Sequence, residues 1–145
     1  MCAIINYPDP KVIGFFKCLG PLSILLWEGL RLFYVYVLEC QTPNHFYIGQ
    51  TNDVERRVGE HRTGLGAQFT IIHGVKELIE TYEYPTRGEA LHWERTLTYR
   101  YLLFPSVVAS RGNTKISLAT KKPREYYERR LKQKSRYQKG YYEEI

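Results

Sequence analysis

Residues 33–64, FYVYVLECQTPNHFYIGQTNDVERRVGEHRTG, constrain the fold more than any other stretch of the chain. Phe33 to Cys40 is a run of strong β formers, and TPNH then breaks it with Pro43 and Asn44 as turn residues. FYIGQ follows as a second strand, and so short a connection favours antiparallel pairing. Asn52 is placed to cap a helix, with Glu55 three residues on. Val54, Val58 and His61 recur at helical spacing to about residue 62, and Gly64 stops the helix. The stretch therefore reads as a β-hairpin feeding a helix.

The rest of the central region extends this pattern. GVKELIETYEY predicts a third strand, Thr86 with Glu89 opens a helix running to about Leu103, and SVVAS gives a last short strand. Pro123 starts a further helix. The expectation is an α/β (α+β) domain at residues 33–113. It has a small, central, antiparallel three-stranded sheet flanked by helices. An N-terminal extension (1–32) precedes it, and a basic, Tyr-rich helix or tail (114–145) follows.

Two helical faces carry anomalies. Arg57 and His61 lie four residues apart and share a face bordering Val54 and Val58, so both sit at the edge of the core. Arg56 turns about a hundred degrees away and reads as a surface charge or a phosphate contact. On the second helix Leu91, Glu94 and Leu97 form a stripe that Thr98 and Tyr101 continue. A carboxylate on an apolar stripe costs free energy unless a cation, a metal or hydrogen bonds meet it. Glu94 is thus either an edge salt bridge to an arginine or a ligand for a hard divalent cation. Glu89, in the first turn, is explained as a cap.

Charge and cysteine usage narrow the classes. The net charge is +6, and residues 119–145 hold nine Lys or Arg against four Glu. Their tyrosines alternate with the basic residues. This reads either as a solvated helix with Glu125–Arg129 and Glu128–Lys132 pairs, or as an arm that contacts phosphates and stacks on bases. Cys2, Cys18 and Cys40 are odd in number and widely spaced, which argues against a disulfide scaffold or structural zinc. The expected setting is an intracellular, reducing compartment, cytoplasm or nucleus. In VIGFFKCLGPLSILLWEGLRLF, Lys17, Pro21, Glu28 and Arg31 interrupt the apolar run, so it is short of a membrane span. No basic n-region precedes it, as a signal peptide would require. An extension packed on the domain, an interfacial membrane helix and functionless upstream sequence stay open for residues 1–32.

With YVY, ten residues, then YIG, VERRVGEH and a later helical glutamate, the chain resembles the GIY-YIG endonuclease family over roughly residues 33–113. HRTGLGAQFT is similar to its small single-domain members. Tyr47-Ile48-Gly49 matches the second motif in full, whereas Tyr34-Val35-Tyr36 stands where Gly-Ile-Tyr is usual. The resemblance implies a metal-dependent endonuclease that hydrolyses phosphodiester bonds of duplex or branched DNA, in repair or recombination, by a one-metal mechanism. It implies Tyr36, Tyr47, Arg57, His61 and Glu94 as catalytic residues, Glu94 holding Mg²⁺ or Mn²⁺ and Tyr36 acting as base. Gly49 and Asn113 are implied as structural or catalytic positions. Arg56, Arg62, Lys121, Lys122, Arg129 and Arg130 are expected to contact nucleic acid. The alternative is a catalytically inactive nucleic-acid-binding module of the same fold.

Overall fold

The computed structural model describes residues 31–112 and 114–133. Two β-rich runs pair as expected. β1 (Phe33–Cys40) and β2 (His45–Thr51) are antiparallel, with Tyr36 opposite Gly49 and Leu38 opposite Tyr47. Asn44 takes the turn in the left-handed region at φ 58°, a conformation Asn tolerates. Its carbonyl then accepts from Val108 N at 2.9 Å, which anchors a much later strand beside β2.

Helix α1 (Val54–Arg62) starts one residue later than expected. Asp53, not Asn52, is the cap, because Asp53 Oδ1 accepts the Arg56 amide at 3.0 Å. Gly64, at φ 80°, turns the chain after α1. A short helix then appears that was not expected, α2 (Gln68–His73), and β3 (Val75–Tyr84) pairs antiparallel with β1 on its other side. Helix α3 (Arg87–Leu102) opens on Thr86, whose Oγ1 accepts the Glu89 amide at 3.2 Å. β4 (Val108–Arg111), β5 (Thr114–Ile116) and α4 (Arg124–Lys132) complete the described elements.

The expected sheet needs correction on two counts. Four principal strands and a three-residue edge strand run in the order β3-β1-β2-β4-β5, rather than three strands. The sheet is also mixed, because β2 and β4 are parallel. The β2–β4 connection carries α3, as a parallel crossover requires. Period-two alternation then deals side chains to two faces. Val35, Val37, Ile48 and Ala109 meet Ala90, Leu97, Tyr101 and Leu102 of α3. Tyr36, Leu38, Tyr47 and Val108 meet Val58 and Phe69 from α1 and α2. Fully burying each such aliphatic side chain contributes about 1.5–3 kcal/mol.

Helix α4 is part of this packing: Tyr127 is 1% exposed in the α3 core, and its hydroxyl accepts the Lys122 amide at 3.0 Å. An ion pair on it joins Arg124 to Glu128, in place of the expected pairs Glu125–Arg129 and Glu128–Lys132. No helix among the described residues is long and apolar enough to cross a membrane. Asn113 and most of the 1–32 extension lie outside the described residues.

Candidate active site

Neighbouring strands bring the two tyrosines together. Tyr36 on β1 and Tyr47 on β2 sit on the same sheet face, and their ring centroids are 6.3 Å apart. Gly49, directly opposite Tyr36, leaves the space that the Tyr36 ring fills; a Cβ there would lie 2.4 Å from the Tyr36 oxygen. Helix α1 supplies the ring that closes the group. His61 Nε2 is 2.9 Å from Tyr36 Oη, and its ring centroid is 4.7 Å from that of Tyr47. Tyr36 is fully buried and His61 is 2% exposed.

Arg57, one turn before His61, is partly buried, and its Nη1 donates to Glu60 Oε2 at 2.5 Å. The same Glu60 carboxylate receives Arg56 Nη1, and Arg56 also faces Asp53. Both arginines are therefore held by acidic neighbours on their own helix. Partial burial works against the charge on Arg57, but Glu60 and the phenols of Tyr36 and Tyr47 outweigh it and hold the guanidinium charged. The guanidinium in turn favours phenolate at both tyrosines. Burial wins nonetheless: it pushes both phenols above the ordinary tyrosine value, Tyr36 further still because of its neighbour Tyr47. His61 moves the other way. Burial, with Arg57 adding to it, lowers the imidazole to about 4, so the ring is neutral at physiological pH.

Glu94 enters from α3 and is 6% exposed. The expected stripe is shifted: Leu91 is 40% exposed, and Ala90, Glu94, Leu97, Thr98 and Tyr101 form the buried face. Burial raises the Glu94 carboxyl, opposed by the charges of Arg111 and Arg95. The β4–β5 turn passes beside it, a Cβ on Gly112 lying 3.9 Å from Glu94 Oε1. Arg111, at the end of β4, was not expected here. Its Nε is the one buried side-chain nitrogen or oxygen without a hydrogen-bond partner among the described residues. It is the one basic residue of SRGNT, and the parallel β2–β4 register that delivers it beside Glu94 is not a local signal.

Among the described residues no three His, Cys, Asp or Glu side chains converge as a cage for a metal ion. The buried single carboxylate of Glu94 has the oxygen-donor chemistry that a hard divalent cation takes. The basic residues divide. Arg62 ends α1 on the exposed surface, and Lys122 precedes α4. Arg129 lies over the Tyr126 ring and Arg130 donates to Gln133 at 3.1 Å. Lys121 is spent on structure: its ammonium donates to the carbonyls of Phe104, Pro105 and Val107, the last at 2.8 Å.

Comparison with known proteins bears on the family of the chain. Residues 32–102 match the family model for the GIY-YIG catalytic domain. The chain is 43% identical over 61 residues to a UPF0213 protein of Halalkalibacterium halodurans, covering 42% of this chain and 64% of that protein. It is 41% identical over 64 residues to a UPF0213 protein of Haloquadratum walsbyi, covering 44% of this chain and 71% of that one. UPF0213 protein YazA of Bacillus subtilis is 38% identical over 61 residues, covering 42% of this chain and 61% of YazA. No solved structure matches the chain.

Proposed function

The chain belongs to the GIY-YIG family, and from that membership we propose a metal-dependent endonuclease that hydrolyses phosphodiester bonds of DNA. The observation that carries the proposal is the convergence of a buried phenol and a neutral imidazole, Tyr36 Oη and His61 Nε2, at 2.9 Å. Phosphodiester hydrolysis needs a base for the attacking water, a counter-charge for the phosphate and stabilisation of the departing oxygen. Tyr36 is the base. As phenolate it takes a proton from water while the water oxygen bonds to phosphorus and the bond to the leaving sugar oxygen breaks. Arg57 and His61 act on the Tyr36 oxygen to favour that phenolate against its burial. Tyr47, packed on His61, orients the water. Arg57 also carries a planar fork suited to a non-bridging phosphate oxygen once Glu60 yields it. Glu94 would hold a single Mg²⁺ or Mn²⁺. When bound, the cation supplies Lewis-acid neutralisation of the phosphate and of the leaving oxygen. Arg56, Arg62, Lys122, Arg129 and Arg130 grip the nucleic-acid backbone.

A second reading, a binding module without cleavage, draws on two observations: Tyr36 is fully buried, and Arg57 is already paired with Glu60. One assay separates them. Supercoiled plasmid and branched DNA are incubated with the protein in Mg²⁺ and in chelator. Nicking in Mg²⁺ alone supports the nuclease, and binding without cleavage of either substrate supports the module.

A further inference from the structure

We infer that Thr70 is a positioning residue for the proton step proposed above, on which this inference rests. Its hydroxyl donates to His61 Nδ1 and fixes the ring as the Nε2–H tautomer, so that His61 donates to the Tyr36 oxygen. Thr70 lies on α2, in the segment the sequence left unassigned, and is 2% exposed. Its Oγ1 is 2.8 Å from His61 Nδ1 and also 2.8 Å from the Ala67 carbonyl. One proton must choose between them. The Ala67 carbonyl already accepts the amides of Thr70 at 3.0 Å and Ile71 at 3.1 Å. Nδ1, by contrast, is approached by a group that can only donate, the Ala67 amide at 3.4 Å. A proton on Nδ1 would face that N–H, so Nδ1 is the acceptor and the Thr70 hydroxyl turns to it.

The ring proton then resides on Nε2, 2.9 Å from Tyr36 Oη. A hydrogen bond donated to the phenol oxygen favours its ionised form, which is what a tyrosine base requires. The loop is built to hold this geometry: a Cβ on Gly66 would lie 2.3 Å from His61 Nδ1, so only glycine lets α2 close on the ring. Without the hydroxyl, the long Ala67 contact alone would set the tautomer, and the imidazole would also populate the Nδ1–H form, whose Nε2 takes the phenol proton as acceptor.

Nitrogen-15 NMR of the full chain reads the tautomer, and plasmid nicking in Mg²⁺ reads the reaction, for the wild type, Thr70→Val and Thr70→Ser. The wild type is expected to show a protonated Nε2 and a bare Nδ1 at His61. Thr70→Val should mix the tautomers and slow nicking about tenfold to a hundredfold, while Thr70→Ser restores both. A wild-type His61 protonated on Nδ1 overturns the inference without any variant. So does Thr70→Val with the wild-type tautomer, or Thr70→Ser as impaired as Thr70→Val. A wild type that never cleaves DNA sinks the nuclease reading, and the inference with it, while the spectrum still reports the tautomer separately.

Discussion

Gly49 and Tyr36 face each other across the β1–β2 pair, and the tyrosine hydroxyl occupies the place where a side chain on residue 49 would begin: a Cβ there would meet Oη at 2.4 Å and Cζ at 2.5 Å. Neither contact is tolerable, and Tyr36 has no free space because its face of the sheet is packed. Gly49→Ala must therefore displace the ring from His61. The expected cost is about 1–3 kcal/mol of stability, in the range of core overpacking, with at least a hundredfold loss of nicking. Urea unfolding and plasmid nicking measure the two effects. A variant with normal activity would show that the Tyr36–His61 contact is dispensable.

His61 gives the fold a pH dependence with a defined sign. Burial foremost, helped by Arg57, lowers the folded imidazole to about 4 from an ordinary 6.5. The unfolded chain binds the proton more readily, so this contribution is whole above pH 6.5 and is lost as pH falls toward 4. Across that window it amounts to on the order of 3 kcal/mol. Urea unfolding at several pH values should give a shallower dependence for His61→Asn than for the wild type between those limits. Equal dependences would mean that His61 titrates normally in the fold.

In the proposed function, Glu60 is a rival of the DNA phosphates for two arginines. It meets Arg56 and, at 2.5 Å, Arg57, with the three side chains from 25% to 54% exposed. Such pairs are individually weak. Glu60→Gln should tighten DNA binding about two- to fivefold at fixed salt, the equivalent of one exposed ion pair. Fluorescence anisotropy checks it, and a weaker affinity would make Glu60 a support for Arg57 rather than a rival of the phosphate.

The basic residues of the C-terminal region should separate by assay. Lys121 caps three backbone carbonyls between α3 and β4. Lys121→Met is expected to cost about 1–2 kcal/mol of stability with DNA affinity unchanged. Arg129→Ala and Arg130→Ala should leave stability near the wild-type value. Each should lower the slope of log affinity against log salt by about 1 if it contacts a phosphate.

The sequence made the hairpin, α1 and α3 legible because their signals are local: β-forming runs, a polar turn, caps and helical spacing. Arg57 and His61 could be placed on one helical face from those signals, whereas Tyr36 and Tyr47 were singled out only by the family resemblance. What escaped depends on distant pairing or on conflicting propensity. β4 lies parallel to β2 only through a crossover, so Arg111 beside Glu94 could not be foreseen. QFTIIH is rich in β formers, yet it becomes α2 because Phe69 packs against the tyrosine face and Thr70 meets His61. Asn52 and Asp53 are both good caps, and only the backbone decides that Asp53 reaches the Arg56 amide.

Cleavage and binding by Glu94→Ala, measured on the same DNA in Mg²⁺, test the central claim most directly. Glu94 is buried at 6% exposure on the face of α3 turned toward the sheet. The account predicts that the variant binds DNA as the wild type does and nicks it at least a thousandfold more slowly, about 4 kcal/mol in the barrier. A variant that cleaves at the wild-type rate would contradict it.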